Sequence, residues 1–147
     1  MSMGKDSMVH VALKLATIAH SGQFDKGGKP YILHPISVAK IVETEEEKTV
    51  ALLHDVIEDT PVTLEELREN GFPESVVVAV DVLTKRPGVD YEDYIQGVKQ
   101  NTLALAVKIA DMTHNMDLSR IQNPTTKDYA RIEKYERILA ELKTAKG

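Results

Sequence analysis

Apolar residues at positions 8, 9, 12, 13, 15, 16 and 19 share one face of a helix predicted over Met8–His20. The pattern then breaks. Ser21 to Pro35 carries glycines at 22, 27 and 28 and prolines at 30 and 35, which predicts a loop of about a dozen residues, long enough to have a functional role. Helical spacing resumes at His34-Pro35, with Ile36, Val38, Ala39, Ile41 and Val42 as its apolar positions. Pro35 is expected at the first helical position, where its missing N–H costs nothing. Thr44-Glu45-Glu46-Glu47 reads as a capping box, and its carboxylates suit the positive end of a helix dipole. This helix is expected to run unbroken through Val50–Leu53 into His54-Asp55-Val56-Ile57-Glu58-Asp59, until Thr60-Pro61 stops it.

A second capping box, Thr63 with Glu66, opens a short helix that ends near Asn70-Gly71. Pro73–Leu83 is predicted as a helix, although its Val76-Val77-Val78 run favours a strand; no partner strand is evident elsewhere. Thr84–Asp90 is a loop, Tyr91–Lys99 a helix, and the chain bends near Asn101. Leu103–Asn115 is a strongly apolar helix interrupted by Lys108, Asp111 and His114. After a loop at Asn123-Pro124, Thr126–Lys143 forms an amphipathic helix with Tyr129, Ile132, Tyr135, Leu139 and Leu142 on one face. The expected fold is an all-α bundle, one domain over residues 1–147.

Composition narrows the functional classes. The absence of cysteine excludes disulfides and thiolate metal sites, and fits a reducing compartment. No stretch approaches the ~20 apolar residues of a membrane span. The short polar run Met1–Asp6 has no features of a secretory signal. A soluble, cytoplasmic protein with no membrane partner is expected. A net charge of −5, from 18 basic and 23 acidic side chains, leaves no footprint for a nucleic-acid polymer. A phosphorylated small molecule would need a local basic patch. The pattern does not reveal an oligomeric state.

Three polar interruptions carry the candidate chemistry. His54-Asp55 and Glu58-Asp59 follow the apolar run Val50–Leu53. Unpaired buried carboxylates are costly, so this end must meet water, a cation or a metal; a polar turn facing solvent is the competing reading. Asp111 follows the apolar run Leu103–Val107, and His34 stands at the mouth of a helix. Two imidazoles and two carboxylates make an N/O ligand set for Mn²⁺, Fe²⁺, Zn²⁺ or Mg²⁺, and the imidazoles disfavour Mg²⁺. Four protein ligands on a six-coordinate ion leave room for water and a substrate oxygen, which hydrolysis requires. Glu58 and Asp59 suit the role of orienting or deprotonating that water. Tyr31 is expected to pack and fix the loop before His34, and His20 to support that loop by hydrogen bonding.

The motifs His20-Ser21-Gly22-Gln23, Gly28-Lys29-Pro30-Tyr31-Ile32-Leu33-His34-Pro35, Ala51-Leu52-Leu53-His54-Asp55-Val56-Ile57-Glu58-Asp59-Thr60, Leu83-Thr84-Lys85, Val107-Lys108-Ile109-Ala110-Asp111 and His114-Asn115-Met116 run in this order along most of the chain. In them the chain resembles the HD-domain phosphohydrolases, and more closely the (p)ppGpp hydrolase domain of the RelA/SpoT family in its small stand-alone form. The resemblance implies an HD-type helical bundle. It implies that His34, His54, Asp55 and Asp111 ligate a metal, usually manganese, with Glu58 and Asp59 as the acidic pair beside the hydrolytic water. It implies removal of the 3′-pyrophosphate of ppGpp or pppGpp to give GDP or GTP. Relatives of the stand-alone form also remove the 2′-phosphate of NADPH, so another nucleotide, NADPH or a nucleoside monophosphate, is the alternative substrate. Asn115 matches a ribose contact, and Lys26 lies in a substrate-facing loop. Lys108 is a phosphate ligand or a partner of the acids. Tyr94 and Asn101 occupy the region that closes over the nucleotide, and Lys85 is a candidate phosphate contact. The chain is shorter than the long family members that carry synthetase and regulatory domains. Two departures bear on substrate identity: Asp25 stands where the family commonly has an arginine near the base, and Met112-Thr113 stands for Arg-Leu.

Overall fold

Capping chemistry sets where most of these helices begin. In the computed structural model, which describes residues 7–117 and 123–146, the Ser7 side chain accepts the His10 N–H and starts α1 (Met8–Ala19). The polar run Met1–Asp6 lies outside the described residues. Reciprocal capping boxes open α3 (Glu45–Leu53) through Thr44 and Glu47, and α5 (Leu64–Glu69) through Thr63 and Glu66. Each such cap stabilises its helix by about 1 kcal/mol. Between α1 and α3, α2 spans Leu33–Ile41. It begins two residues before Pro35, which therefore sits in the third helical position; an N–H there has no intrahelical acceptor either.

The helix expected to run unbroken from Glu45 to Asp59 is two helices. α3 ends at Leu53 and α4 covers only Val56–Asp59, with His54 and Asp55 in the turn between them. His54 leaves the helical ladder because both its backbone N–H and its Nδ1 turn back to the Ala51 carbonyl, at 3.5 and 2.5 Å. On a straight helix, consecutive side chains point about 100° apart. The turn lets both residues face one point.

α6 (Glu74–Leu83) is helical despite its valines. Val76, Val77 and Val80 are fully buried while Val78 faces outward, so core contact on one helical face overrides strand propensity. α7 (Tyr91–Lys99) is followed by α8 (Thr102–Asn115), which Asn101 caps by accepting the Ala104 N–H. α9 (Thr126–Lys146) extends three residues beyond expectation. Its Leu139 and Leu142 are buried, but Tyr129 is exposed and does not share their face. Among the described residues there is no strand, only an isolated bridge between Phe24 and Pro30 that pinches the loop before α2. Gly28 in that loop has φ +82°, a left-handed conformation that disfavours a side chain.

α3 and α8 form the centre. α3 packs on α1, α2, α6 and α8, while α8 also meets α2, α6, α7 and α9. Val50, Ala51, Leu53, Val107 and Ala110 fill the seam with almost no exposure. Burying each Val or Leu there is worth roughly 1.5–3 kcal/mol. The polar ends of α2, α3 and α8 meet at one edge of this core.

Candidate metal centre and substrate cavity

The meeting of these three helices makes the site. His34 lies in the first turn of α2, His54 at the end of α3, Asp55 at the start of α4 and Asp111 within α8. His34, His54 and Asp111 are buried, and one ligand atom from each lies within 4.8 Å of the others. His34 Nε2 is 2.8 Å and His54 Nε2 3.4 Å from Asp111 Oδ1. Asp55 stands outside this triad, but its Oδ2 is 3.1 Å from His54 Nε2. Ligands at right angles around an ion at ~2.1 Å stand about 3 Å apart, so these spacings fit one shared cation.

The tautomer of His54 points the same way. A carbonyl oxygen only accepts, so the contact to Ala51 places the proton on Nδ1 and leaves the Nε2 lone pair directed at the carboxylates. That Nε2 is buried and has no hydrogen-bond partner among the described residues. An orphaned imidazole nitrogen between two carboxylates is the donor arrangement a divalent cation completes.

The electrostatics of the cluster set a proton and a cation in competition for that nitrogen. Burial disfavours a charged His54, but Asp55 and Asp111 outweigh it and hold its pKa well above the ordinary histidine value. Burial likewise resists ionisation of Asp55 and Asp111; the facing His54 prevails, taking Asp55 down to about 2 and Asp111 well below the usual range. The Asp59 carboxyl is raised by burial and by the neighbouring Asp55 and Glu58 charges.

Neighbouring side chains brace the ligands. Asp111 is held by Lys108 Nζ at 3.4 Å and by the Asn115 amide at 3.1 Å, three residues before it and four after on α8. His34 Nδ1 lies 2.7 Å from His114 Nδ1, and their rings stack. The Tyr31 hydroxyl donates to Asp55 Oδ2, so Tyr31 does more than pack beside the loop. His20 Nδ1 meets Gln23 Oε1 at 2.8 Å, and the Gln23 amide donates to the Asp59 carbonyl at 3.0 Å. This chain ties the loop before α2 to the end of α4. Glu58 is fixed differently: its Oε1 accepts the Lys85 backbone N–H at 2.9 Å.

The proposed substrate contacts divide into two groups. Lys26 and Asn115 line a cavity of about 270 Å³ with Phe24, Asp25, Tyr31, His34 and Arg131. Lys85, Tyr94 and Lys108 line a separate cavity with His54, Asp55 and Glu58. Tyr94 is a buried wall whose hydroxyl donates to the Leu83 carbonyl. Asn101 is not brought to either. It caps the far end of α8, ten residues and about 15 Å of helix from Asp111. Asp25 uses Oδ1 within its own loop, accepting the N–H groups of Gly27 and Lys29.

Sequence reading missed Arg131, whose α9 reaches the cavity across a connection with no local signal. Its Nε is buried without a hydrogen-bond partner among the described residues, and its guanidinium lies 5.9 Å from the Tyr135 ring centre. Only the one-turn spacing of Arg131 and Tyr135 hinted at it. Among the described residues no helix is long and apolar enough to cross a membrane.

Comparison with known proteins finds relatives in sequence and in fold. The chain is 40% identical over 117 residues to the guanosine-3′,5′-bis(diphosphate) 3′-pyrophosphohydrolase of Haemophilus influenzae, covering 69% of this chain and 17% of the relative. It is 37% identical over 120 residues to the bifunctional (p)ppGpp synthase/hydrolase SpoT of Escherichia coli, covering 71% and 17%. The chain thus spans about a sixth of the length of these curated relatives. A solved structure described as a metazoan ortholog of SpoT that hydrolyzes ppGpp superposes with a TM-score of 0.77 at 22% identity, over 93% of this chain and 85% of that one; it shares the helical fold. The HD domain model matches residues 12–145, nearly the whole chain, and the protein therefore belongs to the HD domain family.

Proposed function

We propose that this protein is a metal-dependent hydrolase that removes the 3′-pyrophosphate of ppGpp or pppGpp, yielding GDP or GTP. The observation that carries this reading is the buried His34–His54–Asp111 cluster, with its orphaned imidazole nitrogen, beside Glu58 and Asp59. The names of relatives 37–40% identical to this chain support the substrate.

His34, His54, Asp111 and the adjacent Asp55 would hold the ion, and manganese suits their mixed imidazole and carboxylate donors. When bound, the ion supplies acidity to water and neutralises phosphoryl charge. The chain's own residues do the rest. Glu58, fixed by the Lys85 N–H, orients the water and accepts its proton. Asp59, whose proton is held more tightly than an ordinary carboxyl's, returns a proton to the departing ribose oxygen. Lys26, Asn115 and Arg131 bind the nucleotide in the larger cavity, where Phe24 offers a face to the base.

Asp25 in that cavity wall supports a second reading, in which the same site acts on another nucleotide such as NADPH or a nucleoside monophosphate. Product analysis with ppGpp, pppGpp, NADPH and nucleoside monophosphates in Mn²⁺ tests both. Chelator-sensitive release of pyrophosphate supports the first reading. Release of orthophosphate alone, with ppGpp untouched, replaces it with the second.

A further inference from the structure

The cavities that His34 lines share no residue with the smaller one that His54 and Asp55 line. His34 walls the larger, and His54 and Asp55 wall the smaller, so the cluster separates them. The smaller encloses about 130 Å³, well below the roughly 300 Å³ at which sites for drug-sized ligands begin. It is too small for a purine nucleoside and suits a compact anion. Its lining is polar. Lys108 is committed to Asp111 and to the face of Tyr94, and the Tyr94 hydroxyl to the Leu83 carbonyl. Lys85 and Tyr91 also line the cavity, and the ammonium of the one and the hydroxyl of the other have no hydrogen-bond partner among the described residues. The Lys134 ammonium sits 5.1 Å from the Tyr91 ring centre and adds positive charge behind it. Asp55 and Glu58 also line this space; the lysines and a bound divalent cation offset them. Lys85 and Glu58 border a further groove with Thr84, Arg86 and Pro87 that opens to solvent.

We propose that this smaller cavity is a product compartment that receives inorganic pyrophosphate, with Lys85 and Tyr91 as its anion-binding donors. The inference deepens the pyrophosphohydrolase reading and rests on it. In that reaction a water oxygen bonds to the phosphorus attached to the ribose, the bond from that phosphorus to O3′ breaks, and O3′ takes a proton. The diphosphate, now carrying the water oxygen, must leave from the side away from the nucleoside. The Glu58 side of the ligands is that side, and the groove past Lys85 is its way out.

Titration calorimetry on the metal-loaded protein in excess Mn²⁺, with inorganic pyrophosphate and separately with GDP, tests the assignment. Lys85→Ala and Tyr91→Phe should each weaken pyrophosphate about tenfold, the loss of one charge-assisted or neutral donor, and GDP by less than about twofold. Lys85→Arg should restore most of the affinity. Pyrophosphate binding that is unchanged in Lys85→Ala, or equal losses for pyrophosphate and GDP, overturns the compartment. Wild-type protein that binds pyrophosphate through Lys85 yet leaves ppGpp intact supports the compartment and sinks only the substrate reading.

Discussion

Replacing His54 by Asn separates the structural and ligating halves of one side chain. The Asn amide sits where Nδ1 does and keeps a donor for the Ala51 carbonyl, but nothing replaces Nε2. Two effects follow. Without metal, the variant loses the positive partner that holds Asp55 at about 2. Against an unfolded value of ~3.9, that depression, to which the Tyr31 hydroxyl also contributes, is worth at most about 2 kcal/mol at neutral pH. Because the folded pKa is the lower one, this stability is present above about pH 4 and is lost as pH falls through 2. The metal-free variant should therefore melt at most about 4–8 °C below the metal-free wild type at pH 7. With metal at a hundred times its dissociation constant, the wild type gains about 2.7 kcal/mol and melts about 5–10 °C higher. His54→Asn should gain almost nothing. Calorimetric melting of chelated and Mn²⁺-reloaded protein reads both quantities. A full metal-induced shift in His54→Asn would show that Nε2 is not a ligand, and no shift in the wild type would remove the metal centre itself.

Metal affinity should rise with pH, about tenfold per unit below the raised His54 pKa, because the ion must displace the proton that Asp55 and Asp111 hold on that imidazole. Calorimetry in two buffers of different ionisation enthalpy should count close to one proton released per ion. Glu58→Gln should retain full metal content while turnover falls about 10²–10⁴-fold; a wild-type rate in this variant would assign the water-activating role elsewhere. Asn101→Ala should cost about 1 kcal/mol as a lost N-cap, with kcat and KM unchanged, and a marked rise in KM would return Asn101 to the substrate site.

The helices were legible from local rules. Thr44 and Glu47, Thr63 and Glu66, and the apolar faces of α1 and α8 each carry their signal within a few residues, and the structure realises them. Failures came where a distant group decided. The break at His54 depends on its ring turning to Ala51 while Nε2 faces carboxylates from α4 and α8. Asn101, to which the resemblance assigns a place over the nucleotide, makes a local N-cap bond, and the KM measurement above decides its role. Arg131 and Tyr91 carry no local chemistry that marks them for a site.

The sequence by itself determined which segments coil, which residue types stand at the polar ends of the apolar runs, and that nitrogen and oxygen donors suited to a divalent cation are present. Capping and periodicity are short-range, so the chain states them directly. Only the tertiary structure decided that α2, α3 and α8 meet at those ends, that the His54 nitrogen is left without a hydrogen-bond partner among the described residues, and that the ligands separate the cavities at His34 from the one at His54 and Asp55. Those features depend on distances between residues 77 and more positions apart, and packing alone sets such distances.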